Sequence, residues 1–136
     1  MICLIHVLPF IKFWKSCVIY FGATGLFELL SSTAFDSKNR DERRSIYSDL
    51  YQCDLLIIDD LGTELTNQFT ASQLFSLLNE RNIGRKATVI STNLTLRELQ
   101  DRYSDRIFSR ITSNFKVCKL TGADIRMHQK KMLNRK

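Results

Sequence analysis

The apolar residues of this chain fall into two alternating patterns: short unbroken runs, and stripes at helical spacing. Leu55–Ile58 is an unbroken run that ends on two adjacent carboxylates, Asp59 and Asp60. A run so short and so rich in branched side chains reads as a strand buried on both faces, as in parallel sheets. Ser16–Phe21, Ala87–Ser91 and Phe115–Leu120 read as further strands. Leu26, Leu29 and Leu30, at i, i+3 and i+4, predict a short helix over 26–34 with Thr24 as its N-cap. A charged stretch over 36–44 reads as a solvated loop into a helix over 41–51, with Ile46 and Leu50 on its inner face. Ala71, Leu74, Phe75 and Leu78 predict a third helix, stopped by Gly84. Thr95 and Glu98 form a capping box, with Leu94 and Leu99 placed as a hydrophobic staple, so a helix begins at Leu96. The helical spacing continues over 103–112, where Ile107 and Ile111 share one face and Arg106 and Arg110 the adjoining one. A basic helix is predicted over 124–136.

Strands alternating with helices predict an α/β domain around a parallel sheet. The segment 1–14 stands apart, being almost wholly apolar. A membrane-spanning helix needs about 20 such residues, and Pro9 interrupts this run. It has neither the basic start nor the small-residue cleavage site of a signal peptide. Ile2–Leu8 is composed like a strand, the alternative being an apolar flap.

Composition narrows the reading only slightly. A length of 136 residues suits one domain with a real core. The 20 basic and 14 acidic residues give a charge of +6, which suits nucleic acid or phosphate partners and equally a solvated basic surface. Cys3, Cys17, Cys53 and Cys118 lack metal-ligand spacing, and read as small hydrophobes in a reducing cytoplasm. His6 and His128 have no local ligand partner, so no histidine metal site is expected.

Candidate chemistry gathers at strand ends, where open α/β sheets bind their ligands. One of the two aspartates can hold Mg²⁺ through water, and the next can orient a water that attacks a phosphate. The alternative is a plain strand end followed by a turn at Gly62. Asn93, after the next strand, can orient a water or a terminal phosphate, or simply serve a turn. The Arg106/Arg110 pair suits phosphate charge, in cis or from a neighbouring subunit, but also suits a solvated helix face.

Order and spacing together carry a resemblance. Residues 54–64, 88–95 (Thr-Val-Ile-Ser-Thr-Asn-Leu-Thr) and 103–111 (Tyr-Ser-Asp-Arg-Ile-Phe-Ser-Arg-Ile) resemble the bacterial replicative-helicase loaders of the DnaC/DnaI type, within the IstB-like branch of the AAA+ ATPases. The resemblance covers roughly residues 16–136 and leaves residues 1–15 unmatched. It implies a partial P-loop NTPase domain of three layers with a mostly parallel sheet, in a cytoplasmic protein. It implies ATP and Mg²⁺ as cofactors, and as partners a replicative DNA helicase, single-stranded DNA and other AAA+ subunits. It makes Asp59 the Walker B carboxylate on Mg²⁺ and Asp60 the group that positions water. Asn93 resembles sensor I, Arg110 the arginine finger with Arg106 beside it, and Arg126, in Gly-Ala-Asp-Ile-Arg, the sensor II arginine.

The chain departs from the family in one respect. It contains no G-x-x-x-x-G-K-[ST] loop, whose amides and lysine hold the phosphates. Gly22-Ala23-Thr24-Gly25 has neither the lysine nor the spacing. The expectation is therefore a truncated ATPase domain with weak ATP binding. The family's P-loop strand lies in mid-sheet, so Ile2–Leu8 is expected to replace it, with an antiparallel or edge placement as open as a parallel one. An IstB-type transposition helper, a non-catalytic module docking on intact AAA+ subunits, and a gene remnant are the alternative readings.

Overall fold

The structure is a computed structural model and describes residues 1–6, 17–35, 40–65 and 67–121, without the side chains of 6, 32–35 and 40–44. Among the described residues nine elements follow in order: β1 (Ile2–His6), β2 (Val18–Gly22), α1 (Ala23–Phe35), α2 (Arg40–Gln52), β3 (Leu55–Leu61), α3 (Gln68–Ile83), β4 (Ala87–Thr92), α4 (Leu96–Asn114) and β5 (Lys116–Lys119). The predicted helix over 124–136, the loop over 36–39 and residues 7 and 8 of the first predicted strand lie outside the described residues.

The strands form one sheet in the order β2-β3-β4-β1-β5. β2, β3 and β4 are parallel neighbours, while β1 runs antiparallel to both β4 and β5. Four strands thus point one way and β1 alone opposes them. The replacement strand expected at the amino end exists and is interior, with Leu4 opposite Ile90 on one side and Val117 on the other. Its direction follows from chain reach. His6 lies opposite Thr88, near the same sheet edge at which Val18 starts opposite Leu55. A parallel β1 would instead end at the edge opposite to the start of β2.

One face of the sheet carries the core. Leu4, Leu56, Ile58, Leu61 and Ile90 are fully buried there with Leu26 and Leu30 of α1, Leu74, Leu77 and Leu78 of α3, and Leu99, Tyr103, Ile107 and Ile111 of α4. The alternating residues Leu55 and Ile57 are only half-buried and take no part in that core. β3 is thus buried fully on one face rather than on both, because a one-residue step sends its side chains alternately to the two sides. Ile46 also departs from expectation, being 37% exposed. The inner face of α2 is built instead from Leu50 with Tyr47, one turn before it, and Tyr51, the next residue. α1 starts directly at Ala23, so Thr24 lies inside its first turn rather than capping it.

Local chemistry explains the remaining ends. Thr95 Oγ1 accepts from the Glu98 amide at 3.2 Å and Glu98 Oε2 accepts from the Thr95 amide at 2.7 Å, the predicted capping box. Those contacts, with the Thr95 amide first, hold the Glu98 carboxyl below the usual range. A second box, Asn67 with Thr70, starts α3. α3 ends before Gly84 as expected, yet the left-handed residue is Arg85, at φ 52°. α4 is interrupted at Ser104 (φ 76°, ψ 157°), and Gln100 Nε2 donates across the break to Asp105 Oδ1 at 2.8 Å.

The edge of the sheet where β3 and β4 begin is locked by a buried arginine. Arg81 is 1% exposed. Its guanidinium donates to Leu50 O at 2.6 Å, Cys53 O at 3.1 Å, Ala87 O at 2.5 Å and Thr88 Oγ1 at 3.0 Å. The first two carbonyls belong to the end of α2 and the residue just past it, where helical acceptors lack partners and the helix dipole is negative. Arg81→Met would strand these acceptors at about 1–3 kcal/mol each. We expect a loss of roughly 3 kcal/mol or more in urea unfolding, and a loss under 1 kcal/mol would contradict the clamp.

Gly62 marks the opposite edge. It has φ +107°, and an added Cβ would lie 2.5 Å from Leu94 Cδ1 and 2.8 Å from Leu94 Cγ. Gly62→Ala should cost about 1–3 kcal/mol, measured by the same unfolding curves, whereas Gly22→Ala, where an added Cβ meets nothing within 4 Å, should cost less.

Candidate nucleotide site at the carboxyl ends of the strands

The site is made by an irregularity in β3. Ile58 pairs with Ile90 and Leu61 with Thr92, so Asp59 and Asp60 together oppose the single residue Ser91. Two residues facing one is a β-bulge, and bulges re-aim side chains at sheet rims. Asp60 absorbs the kink with φ 54°, a left-handed conformation that aspartate tolerates better than most residues. Beyond the bulge, Gly62 turns the chain and Thr63 bonds back to Asp60 O through its amide at 3.2 Å and its hydroxyl at 2.9 Å.

Ser91 holds the bulge in place. Its hydroxyl donates to Asp59 Oδ1 and accepts from the Asp60 amide at 3.0 Å. The same amide lies 3.1 Å from Asp59 Oδ1. The other oxygen, Asp59 Oδ2, accepts from the Tyr20 hydroxyl at 2.6 Å. These donors, Ser91 first and then Tyr20, hold the Asp59 carboxyl below the usual carboxylate range. The bond to Asp59 in turn raises the Tyr20 phenol. Asp60 points elsewhere: its Oδ1 accepts from Asn93 Nδ2 at 3.3 Å. Thr92 steadies the end of β4, donating to Leu61 O at 2.6 Å and accepting from the Leu94 amide at 3.1 Å.

Of the residues singled out in the sequence, Asp59, Asp60 and Asn93 therefore come together at one rim. Arg106 and Arg110 lie elsewhere, in an open groove lined by Phe75, Asp105, Arg106, Ser109, Arg110 and Ser113. The Arg110 guanidinium sits 5.8 Å from the centroid of the Phe75 ring, within cation–π range. No residue of the aspartate cluster lines that groove. Arg126 falls outside the described residues.

Tyr20, Ser91 and Glu64 are the residues that sequence reasoning missed. Glu64 is 3% exposed. It accepts from the Gly62 amide at 2.9 Å and from the Tyr103 hydroxyl, and Arg102 Nε lies 4.0 Å away. Arg102 Nη2 also donates to Glu64 O at 2.5 Å. Burial first, and then the bond to Glu64, raises the Tyr103 phenol. Glu64 thereby ties the turn after the aspartates to α4, one residue before its break at Ser104. A glutamate two residues after a turn glycine was the available signal, but its partners lie 38 and 39 positions away.

The donor set fits a hydrated divalent cation. Asp59 offers hard oxygen ligands, and its existing donors are hydroxyls and an amide rather than a competing cation. A cation that keeps most of its water and takes one carboxylate is the habit of Mg²⁺. Among the described residues no group of three histidine, cysteine or acidic side chains could form a fully protein-ligated metal site. No helix among them is long and apolar enough to cross a membrane.

Known proteins share this fold. The chain is similar to a crystal structure of a DNA replication initiation factor, with 23% identity and a TM-score of 0.61 over 76% of this chain and 30% of that one. It is similar to the DnaC helicase loader, with 20% identity and a TM-score of 0.58 over 70% of this chain and 56% of that one. It is similar to AMPPCP-bound DnaA from Aquifex aeolicus, with 23% identity and a TM-score of 0.60 over 76% and 31%. The chain thus spans from under a third to just over half of these proteins, and at such identities the likeness establishes the fold, a partial AAA+ P-loop NTPase domain. No curated protein matches its sequence. The family of IstB-like ATP binding proteins matches residues 15–132, nearly the whole chain, and this chain belongs to that family.

Proposed function

We propose that this chain is a helicase-loader-like ATPase domain that acts in DNA replication. The observation that carries the reading is the bulged end of β3, which sets Asp59 against Ser91 and Asp60 against Asn93 at the sheet's ligand-binding rim. In this reading Asp59 holds the hydrated Mg²⁺, and Asp60 and Asn93 together hold the water that meets the terminal phosphate. The cation supplies charge neutralisation on the phosphates when ATP is bound. Arg110, with Arg106 beside it, serves the nucleotide of a neighbouring subunit, which agrees with a groove separate from the aspartates. Arg126 reaches the nucleotide within its own chain. A replicative helicase and single-stranded DNA are the proposed partners, and the charge of +6 favours the latter through phosphate contacts. The proposed location is the cytoplasm.

Two features favour a second reading, a non-catalytic module that docks on intact AAA+ subunits. The chain has no G-x-x-x-x-G-K-[ST] sequence, and Arg110 is nonetheless presented in an open groove. A third reading, a transposition helper, draws on the IstB-like family itself, and a transposase gene beside this one would favour it.

Titration calorimetry of this 136-residue chain with ATP and Mg²⁺ should show affinity far weaker than micromolar, because the main phosphate cradle is missing. A micromolar dissociation constant would contradict this. Mixed with an intact loader, the chain should raise ATP hydrolysis, and Arg110→Ala should abolish the increase while leaving the unfolding curve within about 0.5 kcal/mol of the parent. Stimulation that survives Arg110→Ala would remove the arginine from its assigned role.

A further inference from the structure

Tyr20 stands out once Asp59 is described. It lies on the edge strand β2 and is 61% exposed, although it is one of the larger apolar side chains. It pairs with Ile57, and its ring leans one pleat along the same sheet face to reach Asp59. The two oxygens of Asp59 are treated differently. Oδ1 belongs to the architecture, since Ser91 and the Asp60 amide meet it at the bulge. Oδ2 is held by the Tyr20 hydroxyl, at 2.6 Å. A hydrated cation would reach the carboxylate at this second oxygen, donating through its water to the lone pairs that the phenol now uses.

We propose that the Tyr20 hydroxyl is a displaceable cap on Asp59: it occupies Oδ2 while the site holds no cation and leaves when a hydrated divalent cation arrives. The proposal rests on the reading of Asp59 as the cation-bearing carboxylate. Exposure makes departure cheap, because the phenol regains hydrogen bonds to water and the ring needs only a change of rotamer. Ser91 is half-buried in the sheet and cannot leave without opening the bulge. Tyr20 is thus a positioning residue whose hydroxyl competes with the cation rather than recruiting it.

The test uses the whole chain and Tyr20→Phe, which keeps the ring and removes only the hydroxyl. Mn²⁺ affinity is read from the electron paramagnetic resonance of the free ion, with Asp59→Asn as the second variant. Tyr20→Phe should bind Mn²⁺ about three- to tenfold more tightly, the scale of one exposed hydrogen bond to a charged group. Asp59→Asn should lose that binding. In the parent chain carrying ¹³Cζ-labelled tyrosine, Mg²⁺ should shift the Tyr20 resonance, assigned by its disappearance in Tyr20→Phe. Unchanged or weaker affinity in Tyr20→Phe, with binding still lost in Asp59→Asn, would overturn the cap and leave the cation assignment standing. Binding that survives Asp59→Asn would overturn the cation assignment, and the cap with it. No detectable binding by either the parent or Tyr20→Phe would overturn the cap as well.

Discussion

The rim of this sheet depends on a mismatch of one residue between β3 and β4. Had the two strands stayed in register, Asp59 and Asp60 would point to opposite faces, one towards the core and one away. The extra residue breaks that alternation. It leaves Asp60 in a left-handed conformation and turns its carboxylate towards Asn93, while Asp59 keeps the open face and bonds to Ser91 and Tyr20. Strain of this kind costs about 1–3 kcal/mol and persists only where neighbours impose it. Here the neighbours are Ser91, which meets both aspartates, and Thr63, which fastens the turn from the far side through Asp60 O.

The two edges of the sheet are built on opposite principles. At the edge where β3 and β4 begin, a buried guanidinium meets carbonyls from α2 and β4, and Asp54 adds bonds to the Cys17 amide at 2.9 Å and to Lys86 at 3.3 Å. Donors and acceptors there are matched within the chain. At the other edge, polar groups face solvent: Asp60 and Asn93 are exposed, and Tyr20 reaches Asp59 from the surface. The base is fastened within the chain, whereas the rim turns its polar groups outward.

Much of this was legible in the sequence, for identifiable reasons. β3, β4 and the helical patterns of α3 and α4 were readable because their apolar residues repeat at fixed local spacing, though the Asn67 box that starts α3 was not. The Thr95 capping box was readable because both of its partners lie within one turn. Tyr20 and Glu64 were not, because their partners are 39 positions away and no local pattern announces them. Ile46 failed for a different reason. α2 is a charged helix in which two tyrosines also compete for the inner face, and Tyr47 and Tyr51 hold it by stacking at 4.8 Å between ring centroids with their hydroxyls 2.8 Å apart. The bulge was hidden as well. Two aspartates in a row look the same whether the strand is regular or not, and only Ser91 across the ladder distinguishes the two.

The direction of β1 bears most on chemistry. A strand in mid-sheet can support a phosphate-holding loop only if the chain leaves it at the rim where Asp59 and Asp60 sit. β1 fills an interior position and pairs with both β4 and β5, so no gap is left between those two strands. Yet β1 runs against its neighbours, with Ile2 opposite Thr92 at the aspartate rim and His6 opposite Thr88 near the other. The carboxyl end of β1 thus lies at the edge away from Asp59 and Asp60. Substituting a strand therefore restores hydrogen bonding without restoring a loop, because ladder pairing is indifferent to strand polarity whereas a rim site is not. In the proposed reading of Asp59, amides that cradle a phosphate at this rim do not come from the carboxyl end of β1.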